Sequence, residues 1–232
     1  LGVRRESLRE YLRAAGLGWS DDPSNEDARF DRIKAREALA ALAPLGIEAA
    51  GLSRVMAQLD DARIALHHLV GDVARKTVRQ EHGDLILDWA ALTSYPQEVT
   101  RRCLVEALVW PRREEVAQLI RAMAHDGQRT LSGCVARRAG RFVRLSREAQ
   151  AVQGLLSATD AVWDARWRCE GPHDAALHIT LLGEAGLRQC PDWRETGLPR
   201  GSLLASPAIW AGETLIAAPL AGTGRDWTSR IV

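Results

Sequence analysis

From Gly127 onward the hydrophobic period of this chain changes, and that change constrains its fold more than any other feature. Before it, apolar residues recur at three- and four-residue steps; after it, they alternate with polar ones between glycine and proline punctuation. A chain that switches period in this way reads as α+β, with a helical N-terminal and middle region followed by a β-rich C-terminal domain. At 232 residues it is long enough for more than one core. We divide it at 46 and at 126, into a leading segment, a helical middle domain and a β-rich end.

In the helical half, Arg4 to Ala15 places Leu8, Tyr11, Leu12 and Ala15 on one face, and Gly16 and Gly18 close the pattern. A second helix is predicted from about Asn25 to Leu42, with Ser24 or Asn25 as cap and Phe30 and Ile33 facing a core. A third runs from about Leu52 to Val78, and further helices from Gln97 and from Pro111. "LVEALVW" passes straight into "PRREEV", leaving no connecting loop, so we expect residues to be missing between Trp110 and Pro111. In the second half, "TLSGCVARR", Ala139-Gly140 and "RFVRLSRE" form a hairpin pattern about a short glycine turn. The tryptophans, including Trp163, Trp167, Trp193 and Trp210, fit core packing better than base stacking.

Charge is informative in kind rather than in sum. The net charge is +1, yet Lys34 and Lys76 are the only lysines among 31 basic residues. Arginine binds phosphate through a two-pronged fork that lysine lacks, although genome composition also produces such a bias. Two stripes stand out. Arg29, Arg32 and Arg36 recur along one helix directly after an acidic start. Arg129, Arg137, Arg138, Arg141, Arg144 and Arg147 fall within one acid-free interval, either as a surface for a phosphate backbone or as a charged edge that blocks strand pairing. Cys103, Cys134, Cys169 and Cys190 are too far apart for zinc-finger spacing, and the six histidines lack ligand partners, so no metal site is expected. No run of 18 apolar residues occurs, and the first residues do not form a signal peptide. We expect a soluble, cytoplasmic protein, with something upstream of Leu1 removed.

Asp22-Pro23-Ser24-Asn25, Asp27, Phe30, Arg32 and Arg36 together resemble a motif of the tRNA(Ile)-lysidine synthases, D-x-S/T-N-x-D-x-x-Y/F-x-R-x-x-x-R. "TLSGC" resembles that family's T-L-G-G-C, and the closing "WAGETLIAAPLAG" is similar to its proteobacterial members. Ile33 stands where the family usually has asparagine, and Ser132 where it has glycine. The resemblance implies a ligase that uses ATP, with magnesium, and L-lysine to convert the wobble cytidine of a CAU-anticodon tRNA(Ile) to lysidine. It further implies that residues 1–46 end the catalytic domain and that 127–232 contact tRNA. The family's Ser-Gly-Gly-x-Asp-Ser nucleotide loop does not occur here, so the chain alone is expected to be inactive. On this reading Arg32 and Arg36 face the catalytic cleft, Asp22, Asn25 and Asp27 fix the helix, and the six hairpin arginines bind tRNA. A homodimer is compatible with the pattern. The rival reading is a non-catalytic RNA-binding or scaffold protein.

Overall fold

The computed structural model describes residues 3, 5–20, 29–108, 113–125 and 127–232, apart from the side chains of Arg32 and Arg113. Asp22, Asn25, Asp27 and the Trp110–Pro111 junction lie outside the described residues. The fold is α+β, with helices leading and strands dominating the second half. It divides into two compact units, 1–64 and 65–232.

The first unit holds α1 (Arg5–Ala14), α2 (Asp31–Leu42) and the leading half of α3 (Ala49–Thr77). No residue of α1 is buried, and Leu8 and Tyr11 are 50% and 69% exposed, so its apolar face covers no core among the described residues. The described part of α2 starts later than the pattern predicts. Phe30 is its N-cap, makes no side-chain cap bond and is itself exposed, whereas Ile33 is buried as expected. Along the start of α3, Leu52, Val55, Met56 and Leu59 form an exposed apolar row at helical spacing.

The second unit is built on a five-stranded antiparallel sheet in the order β1-β2-β5-β4-β3. Its strands are β1 (Val78–Glu81), β2 (Asp84–Asp88), β3 (Gln128–Leu131), β4 (Cys134–Ala139) and β5 (Phe142–Arg147). Alternation decides its two faces. Leu87, Leu131, Ala136, Val143 and Leu145 point to one side. There they pack on Val70 and Val73 of α3, on Trp89 and Leu92 of α4 (Trp89–Thr93), on Val99 and Leu104 of α5 (Gln97–Ala107) and on Leu119 and Met123 of α6 (Arg113–Met123). The sheet therefore joins strands from both sides of residue 126, where the period changes. Asp88 caps α4, accepting from the Ala91 amide at 3.2 Å.

Beyond β5, the chain forms β6 (Ser157–Ala158), β7 (Trp167–Glu170), β8 (His178–Leu181), β9 (Pro207–Ala211), β10 (Thr214–Ala217) and β11 (Thr228–Ile231). Between β8 and β9 come the short helices α7 (Gly183–Leu187) and α8 (Arg200–Leu204). A four-stranded sheet runs β10-β9-β8-β6, and β11 pairs with β7. Here β9 is buried on both faces: Ile209 packs with Trp163, Trp167 and Trp227, while Ala208 and Trp210 pack with Leu182 and Leu203. The tryptophans at 163, 167, 210 and 227 are thus core residues, each at most 6% exposed.

Tight two-residue turns set the register of the first sheet. The β3–β4 turn is Ser132-Gly133, both at positive φ (49° and 69°). A serine there carries a Cβ in the left-handed region, which glycine occupies freely. Ser132→Gly should therefore stabilise the fold by about 0.5 kcal/mol, after the extra freedom of glycine in the unfolded chain is offset. A chemical-denaturation midpoint that rises at constant slope is the expected result; a fall would show that the serine hydroxyl contributes more than the backbone costs.

Candidate nucleic-acid interface

Five of the six hairpin arginines lie on strands and Arg141 lies in the β4–β5 turn, but they do not form one free stripe. Pairing puts Arg137 of β4 opposite Arg144 of β5 and opposite Gln128 of β3, on the face away from the helices. Arg129, Arg138 and Arg147 belong to the opposite parity and sit at the ends of the helix-covered face.

Three of them are held by carboxylates. Arg144 donates to Asp84 at 2.8 Å and to Glu81 at 3.0 Å. Arg147 grips Asp164 with both prongs, at 3.0 and 2.8 Å. Arg141 pairs with Asp88 at the start of α4. Arg129 instead donates to the side-chain oxygen of Gln118, Arg137 to that of Gln128 at 2.7 and 3.1 Å, and Arg138 to the Met123 and Gly140 carbonyls. The sequence interval is acid-free, yet its acids arrive from elsewhere in the fold. Every clasping carboxylate is at least 17 residues away along the chain, and those on Arg141 and Arg144 are 53 to 63 away. Asp84, Asp164, Gln128 and Ser202 are consequently the site residues that sequence reasoning misses.

Burial and pairing act on these acids in opposite directions. Asp84 is only 6% exposed at its side chain, and desolvation raises its carboxyl above the ordinary range despite bonds from Ser202 and Arg144. Asp88 moves the other way, held down first by the Arg141 hydrogen bond and then by the Ala91 amide.

Asp84 also marks a joint between the two cores of this unit. Ser202 of α8 hydrogen-bonds Asp84 at 2.5 Å, and Arg166 donates to the Gly83 carbonyl at 2.5 Å. A Cβ on Gly83, whose φ is +88°, would lie 2.2 Å from the Trp167 ring. The β1–β2 turn, His82-Gly83, thus seats the second core against the first.

On α2, Arg36 is exposed, and among the described residues it makes no ion pair; Asp31 pairs with Lys34 at 3.2 Å instead. The backbone puts Arg32 one turn before Arg36 on the same side of the helix. Among the described residues, no three His, Cys, Asp or Glu side chains gather to hold a metal ion, and no single helix is long and apolar enough to cross a membrane.

By fold and side chains, then, this is an α+β chain with a helix-backed antiparallel sheet that carries Arg137 and Arg144 on its other face. No protein-family model matches it. Its relatives are specific: over its whole length it is 44% identical to a tRNA(Ile)-lysidine synthase of Ruegeria pomeroyi, covering 57% of that protein. A tRNA(Ile)-lysidine synthase of Mesorhizobium japonicum is 32% identical over 90% of this chain and 48% of its own length, and one of Hyphomonas neptunium is 56% identical over a 39-residue stretch. The chain is a relative of the tRNA(Ile)-lysidine synthases and corresponds to their C-terminal portion. It spans about half the length of the curated relatives it matches.

Proposed function

We propose that this chain is the tRNA-recognition portion of a ligase that converts the wobble cytidine of CAU-anticodon tRNA(Ile) to lysidine with ATP and L-lysine. The end-to-end match to a named tRNA(Ile)-lysidine synthase carries this reading. None of the described residues is assigned to ATP or magnesium in this reading. The glycines nearest the arginines, Gly133 and Gly140, sit in hairpin turns rather than at a helix N-terminus, and no metal-binding group accompanies them. In this reading nucleotide activation belongs to the part of the relatives that this chain does not span, while Arg32 and Arg36 border that part and the hairpin arginines hold tRNA. The protein acts in the cytoplasm, where its substrate tRNA resides.

The test is incorporation of labelled lysine into tRNA(Ile) by the protein expressed with its upstream coding sequence. ATP-dependent label at the wobble position supports the reading. Salt-dependent tRNA binding without any incorporation favours a non-catalytic RNA-binding protein.

The internal clasps sharpen the binding prediction. Arg137, bonded to a neutral amide, is available to a phosphate in full, whereas Arg144 is neutralised by two acids. Arg137→Gln should lower the slope of log affinity against log salt by up to about one phosphate contact, with little change in melting temperature. Arg144→Ala should do the opposite, because it strands the buried Asp84. Equal slopes for Arg137→Gln and the parent would remove Arg137 from the interface.

A further inference from the structure

The open face of the five-stranded sheet is not flat where it meets the segment around α8. A cavity of about 370 Å³ lies between Val135 and Ala139 of β4 on one side and Pro199 and Leu204, flanking and ending α8, on the other. The walls are mainly apolar, and polar groups sit at limited points, as in sites built for a small planar ligand. Arg137 stands on this wall and, among the described residues, its guanidinium bonds the Gln128 amide and no acid, whereas Arg144 and Arg147, which also line the cavity, are already clasped by acids. Glu148 lines it as well and offers acceptor oxygens.

Resting on the RNA-binding reading above, we propose that this cavity takes one unpaired nucleotide of an RNA strand. The base lies between the Val135–Ala139 wall and the Pro199–Leu204 wall, and its 5′ phosphate meets Arg137. Unpaired bases stack on aromatic or guanidinium planes, and a base turned out into a pocket is also held between apolar side chains, with a few polar groups for its edge. The volume suits one nucleotide and excludes a duplex. An amino-bearing base edge, donating to Glu148, is preferred over uracil.

A single-stranded hexaribonucleotide ending in 2-aminopurine tests the assignment, titrated against this chain and against two variants. Ala139 is exposed, so Ala139→Trp fills the slot without touching a core; Arg137→Gln keeps the bond to Gln128 and deletes the charge. A saturable fluorescence change that weakens at least about tenfold in Ala139→Trp, at an unchanged melting temperature, is expected. Arg137→Gln should weaken it less and flatten its salt dependence. Identical titrations for the parent and both variants would overturn the proposal. If tRNA binds with steep salt dependence while the hexamer neither binds nor competes, the cavity assignment fails and the RNA reading stands. If neither RNA binds, both fail.

Discussion

Gly83→Ala should lower stability by about 3–5 kcal/mol, a loss of roughly 10 °C in melting temperature for a unit of this size. Two costs combine at this one position. The backbone is at φ +88°, where an L side chain is strained, and the new methyl group would stand 2.2 Å from the Trp167 ring. Trp167 cannot simply retreat, since it is 5% exposed and packed among Trp163, Cys169 and Ile209. Gly140→Ala is the control, because Gly140 also has positive φ (58°) but nothing lies within 4 Å of its added Cβ. That variant should lose only about 1 kcal/mol. If both lose the same amount, backbone strain alone accounts for the effect, and the seat of Trp167 on the turn is not a close-packed joint.

The other large effect is functional. In the protein with its upstream coding sequence, Arg36→Ala should slow lysidine formation by roughly ten- to a thousandfold in single turnover at saturating tRNA, the range expected when a charge-assisted contact is made mainly in the transition state. Stability should move by no more than about 0.5 kcal/mol, because Arg36 is exposed and makes no described ion pair. Arg32→Ala should behave alike if the two share one side of α2. Parental rates in both variants would reduce the stripe to a solvated face and move the catalytic edge elsewhere.

Local patterns carried much of this fold in the sequence. The third helix is predicted over 52–78 and found at Ala49–Thr77. The predicted hairpin about a glycine turn is found as β4 and β5, with the turn one residue later, at Gly140-Arg141, and with "TLSGCVARR" split by the Ser132-Gly133 turn. These features depend on neighbours within a few residues, which periodicity and turn chemistry record. The joining of β2 to β5 does not, since Asp84–Asp88 pairs with a strand nearly sixty residues on. The same distance conceals the clasps: nothing near Arg144 announces Asp84, and nothing near Arg147 announces Asp164. Phe30 fails for a different reason, because an aromatic at helical spacing from Ile33 marks a face without saying whether anything covers it.

The clasps also change how damage to this protein would register. Losing a carboxylate usually subtracts function along with stability. Here Asp88→Asn would release the exposed Arg141 guanidinium, so on the proposed RNA-binding reading a slightly weakened fold would hold polyanions more tightly and with less discrimination. Asp164→Asn would instead strand the mostly buried Arg147 and chiefly cost stability. On the proposed RNA-binding reading Asp88 would act as a governor on adhesion, and its loss would be mistaken for an improvement in a screen that scores tightness alone.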